Sequence, residues 1–417
     1  MTLWPEAADY LLGQSGPSLA ALYWFFLVFE VPRYVILFAL FALMPRRRAP
    51  TREFAGRVSV VIAGHNEARS IEACVRALEE QSRPPDEIVV VSDGSSDGMD
   101  RRLGRMLADG RITAAHATDL RGGKSAASNM AARLCTGDVI VNVDCDCSFD
   151  RHALRNILRP LSDRAVGASC GNILPRNPGR SLVTAFQGIE YLVTISLGKQ
   201  AADRVGQVTC VSGAFGAFRR EAYEFSGGLD AGGGEDLDLT IRLRAAGWKV
   251  RFAGEACCYT DVPETLRALV RQRFRWERDS VHLRYRKHAG LMNPFSPRFR
   301  WSEFLHEVEF LIFNVLAAAV MPVYIAWLFG QYGGFALTVM AAAQLGLMAL
   351  DHAVFLMAAA VTPFGARARL VPFLAGYSVF NGLLMRGVRL AAYVQEWAFR
   401  ASFADGYVPA KVHRVRR

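Results

Sequence analysis

The chain has 417 residues, 52% of them hydrophobic, a formal net charge of +10 and a mean hydropathy of +0.15. Its length suits two or three domains, and its hydropathy is high for a wholly soluble enzyme. The charge does not point to nucleic acid, because the arginine runs flank apolar segments, as they do at a membrane surface or around a polyanionic small substrate.

Residues Leu19 to Met44 are apolar enough, and long enough at 1.5 Å per residue, to cross a hydrocarbon core of about 30 Å. Glu30 and Arg33 interrupt this segment at i, i+3 and can pair on one helix face. The acidic N-terminus (Glu6, Asp9) and the lack of a small-residue cleavage site argue against a secretory signal. Arg46-Arg47-Arg48 then predicts that the domain after it stays cytosolic. The eight cysteines all lie between Cys74 and Cys258, with no doubled zinc-ligand spacing, so free thiols in a reducing compartment are expected.

From Val58 short apolar runs alternate with helix-length stretches, the pattern of a parallel sheet flanked by helices. Val58 to Ala63 reads as a strand ending in Gly64-His65-Asn66-Glu67, and a helix runs on through Leu78. Glu87 to Val91 is a second strand, closed by Ser92-Asp93-Gly94. Arg121-Gly122-Gly123-Lys124-Ser125 lacks the first glycine of a P-loop, which excludes Walker-type ATP binding. Val139 to Val143 is a buried strand that empties into Asp144-Cys145-Asp146. An isolated D-x-D is more often a solvated turn. At the carboxyl end of a strand in an α/β sheet, the same two carboxylates can hold a hard divalent cation against phosphate oxygens.

Ser181 to Lys199 has the apolar spacing of a core helix, and Ser212 to Gly216 forms a loop open to close ligand approach. Three glycines, 232 to 234, precede Glu235-Asp236, and Leu237 to Ala246 reads as a helix stopped by Gly247, so Asp236 is expected at or near the helix start, where the dipole favours its anionic form. Gln272-Arg273-Phe274-Arg275-Trp276 supplies a donor fork for phosphate and a flat face for a sugar ring. A basic, aromatic stretch with Pro294 and Pro297 comes next, read as interfacial or mobile, and then three apolar segments, about 304–329, 335–361 and 370–397. Arg386, Arg389 and Asp351-His352 fall inside these segments, where ionisable groups either lie at the interface or face a polar passage.

On their own chemistry, Asp93 could accept hydrogen bonds from a base or ribose. Asp144 and Asp146 could hold Mg²⁺ or Mn²⁺ against a diphosphate, Lys124 could add a cation there, and Asp236 could act as general base with Glu235 orienting its loop. In order and approximate spacing, Asp93, Asp144-x-Asp146, Glu235-Asp236 and Gln272-x-x-Arg275-Trp276 resemble the processive family 2 glycosyltransferases: cellulose, hyaluronan, chitin and poly-N-acetylglucosamine synthases, and the rhizobial chitooligosaccharide synthase of similar length. The likeness covers about Val58 to Trp276 by motif and the flanking segments by layout.

That resemblance implies an α/β glycosyltransferase A-type fold, a mixed sheet that binds a nucleotide-diphospho-sugar, with transmembrane helices at both ends. Asp93 looks like the uridine-contacting aspartate and Glu67 like the acid that helps there. Asp144 and Asp146 look like the metal and diphosphate pair, Asp236 like the base of the T-E-D motif, and Gln272, Arg275 and Trp276 like the group that holds the diphosphate and acceptor end. Gly234 stands where that motif has threonine, and His65 where many members have tyrosine. The domains expected are an N-terminal segment with a transmembrane helix (1–48), a cytosolic transferase domain (49–280), an interfacial or gating segment (281–303), transmembrane helices (304–397) and a basic tail (398–417). The implied activity is inverting β-transfer of hexose or N-acetylhexosamine from a UDP-sugar to a growing polysaccharide or oligosaccharide. It is expected to be processive and coupled to export from a multi-pass protein of the cell (inner) membrane, in contact with membrane lipids, the passage closed by one chain or completed by a second subunit or export partner. The rivals are a transferase adding one sugar to a lipid carrier and a nucleotide-binding receptor or transporter without turnover.

Overall fold

The computed structural model describes residues 10, 12–47, 50, 52–230, 232–297, 299–362, 365, 367–404 and 409. At its centre is an eight-stranded sheet in the order β3-β2-β1-β4-β7-β6-β8-β5. Its strands are β1 (Val58–Gly64), β2 (Glu87–Asp93), β3 (Ala114–Thr118), β4 (Val139–Val143), β5 (Ser148–Phe149), β6 (Val166–Pro175), β7 (Phe215–Arg219) and β8 (Lys249–Thr260). The half formed by β3, β2, β1 and β4 is parallel, whereas β7 runs antiparallel to both β4 and β6, which makes the sheet mixed. Alternation along each strand feeds two cores: Val60, Ile62, Val141 and Val143 face one, Val61, Val89 and Ile140 the other.

Helix α1 (Val31–Leu43) precedes the sheet, and α2 (Ile71–Glu79) buries Ile71, Cys74, Val75 and Leu78, the i, i+3, i+4, i+7 stripe of a helix laid on a sheet. Helix α3 (Lys124–Leu134) follows β3. After β6 the chain forms α4 (Leu182–Glu190), capped by Ser181 with Thr184, and continues through a wide helical turn into α5 (Lys199–Val205). Helix α6 (Glu235–Ala245) leads into β8, and α7 (Leu266–His282) leaves it. The basic stretch after Trp276 stays helical through Lys287 because its cations find carboxylates: Arg284 with Glu307, Arg286 with Glu396, and Lys287 with Asp230 and Asp238.

Among the described residues, three helical stretches are long and apolar enough to cross a membrane: Phe26–Leu43, Trp301–Val361 and Arg367–Phe399. The second holds two of the apolar segments, joined by the single turn Gly333–Phe335. The third ends in α8 (Arg386–Phe399), which packs along α7 through Arg389 to Glu277 (3.4 Å) and Tyr393 to Glu277 (2.7 Å). Beyond it Phe403 packs edge-on to His282, and Pro409 rests on Gly123, so both residues lie against the sheet domain. Leu174, Leu192, Val354 and Tyr377 share one apolar cluster that joins the sheet to these helices. All eight cysteines are free thiols.

Candidate active site

The carboxyl ends of β1, β2 and β4 open on one edge of the sheet, as sequential parallel strands with crossover helices require. At the end of β4 the amide of Cys147 donates to the carbonyl of Asp144 (3.2 Å) and closes the turn. Cys145 and Cys147 point into the core while Asp144 and Asp146 stay partly accessible. Thr260 Oγ1 donates to Asp146 Oδ2 (2.9 Å), and Arg176, itself gripped by Asp261, donates to the Asp146 carbonyl (2.9 Å). Burial and the neighbouring Asp144 charge push the Asp146 carboxyl above its ordinary range.

Asp93, at the end of β2, accepts from the amides of Gly122 (2.5 Å) and Gly123 (2.7 Å). This carboxylate thus shapes the turn that starts α3, and Gly123, at φ +92°, carries the chain straight into Lys124. His65 Nδ1 lies 2.8 Å from the Asp93 carbonyl, and Asn66 ties the β1 loop to Ser95 and Ser96. Glu67 stays within its own loop, where Ser70 donates to it (2.5 Å).

Lys124 bridges the next two groups, 2.5 Å from Asp144 Oδ1 and 3.8 Å from Glu235 Oε1. Burial pushes the Glu235 carboxyl up; Lys124 opposes this and Asp236 adds to it. Asp236, in the first turn of α6, accepts from the Gly213 amide (3.2 Å), and burial with the charge of Asp236 pushes the nearby Cys210 thiol up. Thr240 Oγ1 donates to the Asp236 carbonyl and accepts from the Val211 amide, so the 210–213 loop is fastened to this helix start.

Gln272, Arg275 and Trp276 share a face of α7 at i, i+3 and i+4. That helix is held against the acidic loop because Asp279, one turn on, fills the space a side chain at Gly233 would need. The Gln272 amide oxygen is buried without a hydrogen-bond partner among the described residues. Arg273 stacks 4.5 Å over the Trp276 ring and pairs with Glu190 (2.6 Å). Tyr191, pushed up to about 12 by burial, feels Arg273, Glu190 and Asp146 together, which brings this helix near the D-x-D turn.

The structure therefore joins Asp93 to the turn before Lys124, Lys124 to Asp144 and Glu235, and Glu235 to its neighbour Asp236, sets Asp146 beside them, and brings the Gln272 to Trp276 helix against the same loop. Sequence reasoning missed Arg176, Thr260 and Lys199. Arg176 and Thr260 lie in unremarkable strand ends, but Lys199 had a signal, a lone cation closing an apolar helical run.

The fold and this cluster of acids define an α/β glycosyltransferase. The chain belongs to the family described as glycosyltransferase like family 2, whose model matches residues 55–278. It is 31% identical over 237 residues to an N-acetylglucosaminyltransferase of Azorhizobium caulinodans, covering 54% of this chain and 59% of that one. It is 28% identical over 221 residues to the poly-beta-1,6-N-acetyl-D-glucosamine synthase of Staphylococcus aureus, covering 52% and 53%. The match thus spans just over half the length of these curated relatives. Among solved structures, the mannosyltransferase PcManGT of Pyrobaculum calidifontis, in complex with GDP-Man and Mn²⁺, has the same fold, with a TM-score of 0.61 at 22% identity over 91% of this chain and 96% of that one.

Proposed function

We propose that the protein is a membrane-embedded, inverting β-glycosyltransferase that moves hexose or N-acetylhexosamine from a UDP-sugar to the end of a growing polysaccharide or oligosaccharide. The observation that carries this reading is that Asp93 holds the turn leading into Lys124, and Lys124 in turn meets both Asp144 and Glu235, the neighbour of Asp236. The relatives named above favour N-acetylglucosamine as the sugar.

In this reading Asp93 and Glu67 shape the nucleotide end, and Lys124 with Arg275 meets the phosphates. Asp144 and Asp146 fit a hard divalent cation, Mg²⁺ or Mn²⁺. Both donors are oxygens, the Asp146 carboxylate is held at a cost by burial and like charge that a cation relieves, and among the described residues no third ligand completes a cage. When bound, such an ion supplies charge stabilisation to the departing nucleoside diphosphate. Asp236 takes the proton of the acceptor hydroxyl on the face opposite the diphosphate, so an α-linked donor gives a β-linked product. Glu235 holds Lys124 toward Asp144, and Trp276 presents its ring to the acceptor sugar.

Export is supported by a cavity of about 850 Å³ that runs from Cys210, beside Asp236, up between α1 and the C-terminal helices. Arg386, paired with Glu30, and Asp351, which accepts from Tyr34 (2.6 Å), stand in its wall among the apolar helices. Charged groups there suit hydroxyl-rich sugars, which do not cross lipid unaided. Trp276 is not in that wall; the cavity begins at Cys210 instead.

The test is UDP release by the purified protein in detergent with UDP-glucose and UDP-N-acetylglucosamine, with and without Mg²⁺ or Mn²⁺, followed by product length on a gel. Asp236→Asn should keep UDP binding and lose release by about 10²- to 10⁴-fold. A single-sugar lipid product would overturn processivity, and no release with any UDP-sugar would overturn the whole reading. In vesicles, chains that never enter the lumen would overturn export.

A further inference from the structure

Lys199 opens α5 between the cavity and the loop that carries Cys210 to Gly213. Its ammonium lies 2.9 Å from Ser212 Oγ and 3.1 Å from Cys170 Sγ. A buried cation is costly unless its charge is answered, and neither of these neighbours is a carboxylate. The carboxylate that acts on it is Asp236. Burial alone would pull this lysine's pKa down, but Cys170, Cys210 and Asp236 more than offset that and hold it above the ordinary lysine value. A methionine would fill the same space at no electrostatic cost.

The path from Lys199 to Asp236 is short. The ammonium donates to Ser212, whose neighbour Gly213 presents its amide to Asp236 Oδ2 at 3.2 Å. Thr240 fastens the far side of the loop to α6. Ser212 is thus the point at which the loop is held from beneath.

We propose that Lys199 is a positioning residue for Asp236: through Ser212 it fixes the Gly213 amide on the carboxylate and so holds that side chain toward the acceptor hydroxyl. The proposal rests on Asp236 being the base. The charged and titratable groups around Asp236 are Cys210 in the loop, Glu235 on its own helix with Lys124 and Asp144 behind it, Asp279 from α7 at Gly233, and Lys199 with Cys170 from below. Lys124 answers Asp144 and Glu235, while Lys199 meets the loop of Asp236 through Ser212.

The experiment uses the full chain in detergent and records kcat and KM for UDP release, with UDP affinity and melting temperature measured alongside. Lys199→Met should leave UDP affinity and the donor KM unchanged and lower kcat by about ten- to a hundredfold. Lys199→Arg, which keeps a cationic donor for Ser212, should restore most of that loss. Ser212→Ala, which keeps the charge and cuts the link, should lower kcat in the same way, and it tests the proposal should Lys199→Met fail to fold. A wild-type kcat in Lys199→Met or in Ser212→Ala, or a Lys199→Arg no better than Lys199→Met, would overturn the proposal. If Asp236→Asn keeps full transfer, the base assignment itself has failed. If Asp236→Asn is dead and Lys199→Met is unchanged, only the role of Lys199 falls.

Discussion

Restoring the family's threonine at Gly234 should damage this protein. Gly234 precedes Glu235 with φ +70° and ψ +29°, a left-handed backbone that costs other residues about 1–2 kcal/mol, and more for a β-branched one. A Cβ there would lie 2.8 Å from Leu283 Cδ1 and 3.2 Å from Asp279 Cβ, so the helix carrying Trp276 must give way or the loop must move. Overpacking of this kind costs about 1–3 kcal/mol. Gly234→Thr is therefore expected to lose about 2–5 kcal/mol, a fall in melting temperature on the order of 5–15 °C for a domain of this size. If the backbone escapes the strain by leaving the left-handed region, Glu235 and Asp236 shift and UDP release falls while stability recovers. Gly234→Ala with Leu283→Ala should separate the two costs by relieving the contact and leaving the backbone term. Thermal melts and UDP release on the same samples decide it. A Gly234→Thr protein with wild-type melting and wild-type release would refute the reasoning.

Two further outcomes test the frame behind the site. Glu87 is buried at the start of β2; burial works against its charge, but Ser59 Oγ (2.5 Å) and Thr136 N (2.7 Å) and Oγ1 (2.5 Å) overcome it and hold the carboxyl at about 2. A depressed carboxyl contributes stability above its ordinary pKa and loses it as pH falls toward the folded value, here about 3 kcal/mol in all. The stability gap between wild type and Glu87→Gln should shrink as pH falls from about 5 toward 2, and a gap constant with pH would contradict this. Arg284 and Glu307 pair at 2.6 Å with both side chains 1% exposed, so Glu307→Ala should cost about 3–5 kcal/mol by stranding a buried cation. Arg284→Met with Glu307→Leu should recover most of that loss in a thermal melt, and a double variant no better than the single one would show that the pair is not the cause.

Much of the sheet was legible because its strands are short runs of branched apolar residues that stop at acids. Val58 to Ala63, Glu87 to Val91 and Val139 to Val143 all form where their pattern places them. A helix from Leu237 ended by Gly247 was legible too, and the fold starts it two residues earlier, at Glu235, so that both acids lie in its first turn. Other features were hidden. Asp93 reads as a ligand for a base, yet the fold gives both its oxygens to the amides of Gly122 and Gly123, a use set by a turn 29 residues away. Arg386 and Arg389 read as misplaced charges inside an apolar segment. Their partners, Glu30 and Glu277, lie more than a hundred residues away and answer each charge only after the helices pack.

The sequence by itself determined the class of fold, the acids at the strand ends and the apolar helices, because strand alternation, helix periodicity and turn chemistry are local and each residue carries its own part of them. Only the tertiary structure decided that Lys124 stands between Asp144 and Glu235, that Asp279 closes the Trp276 helix onto the loop of Asp236, and that Lys199 lies beneath it. Those contacts join residues from distant elements, and their energies depend on burial and on which charge faces which, properties that exist only once the chain has closed on itself.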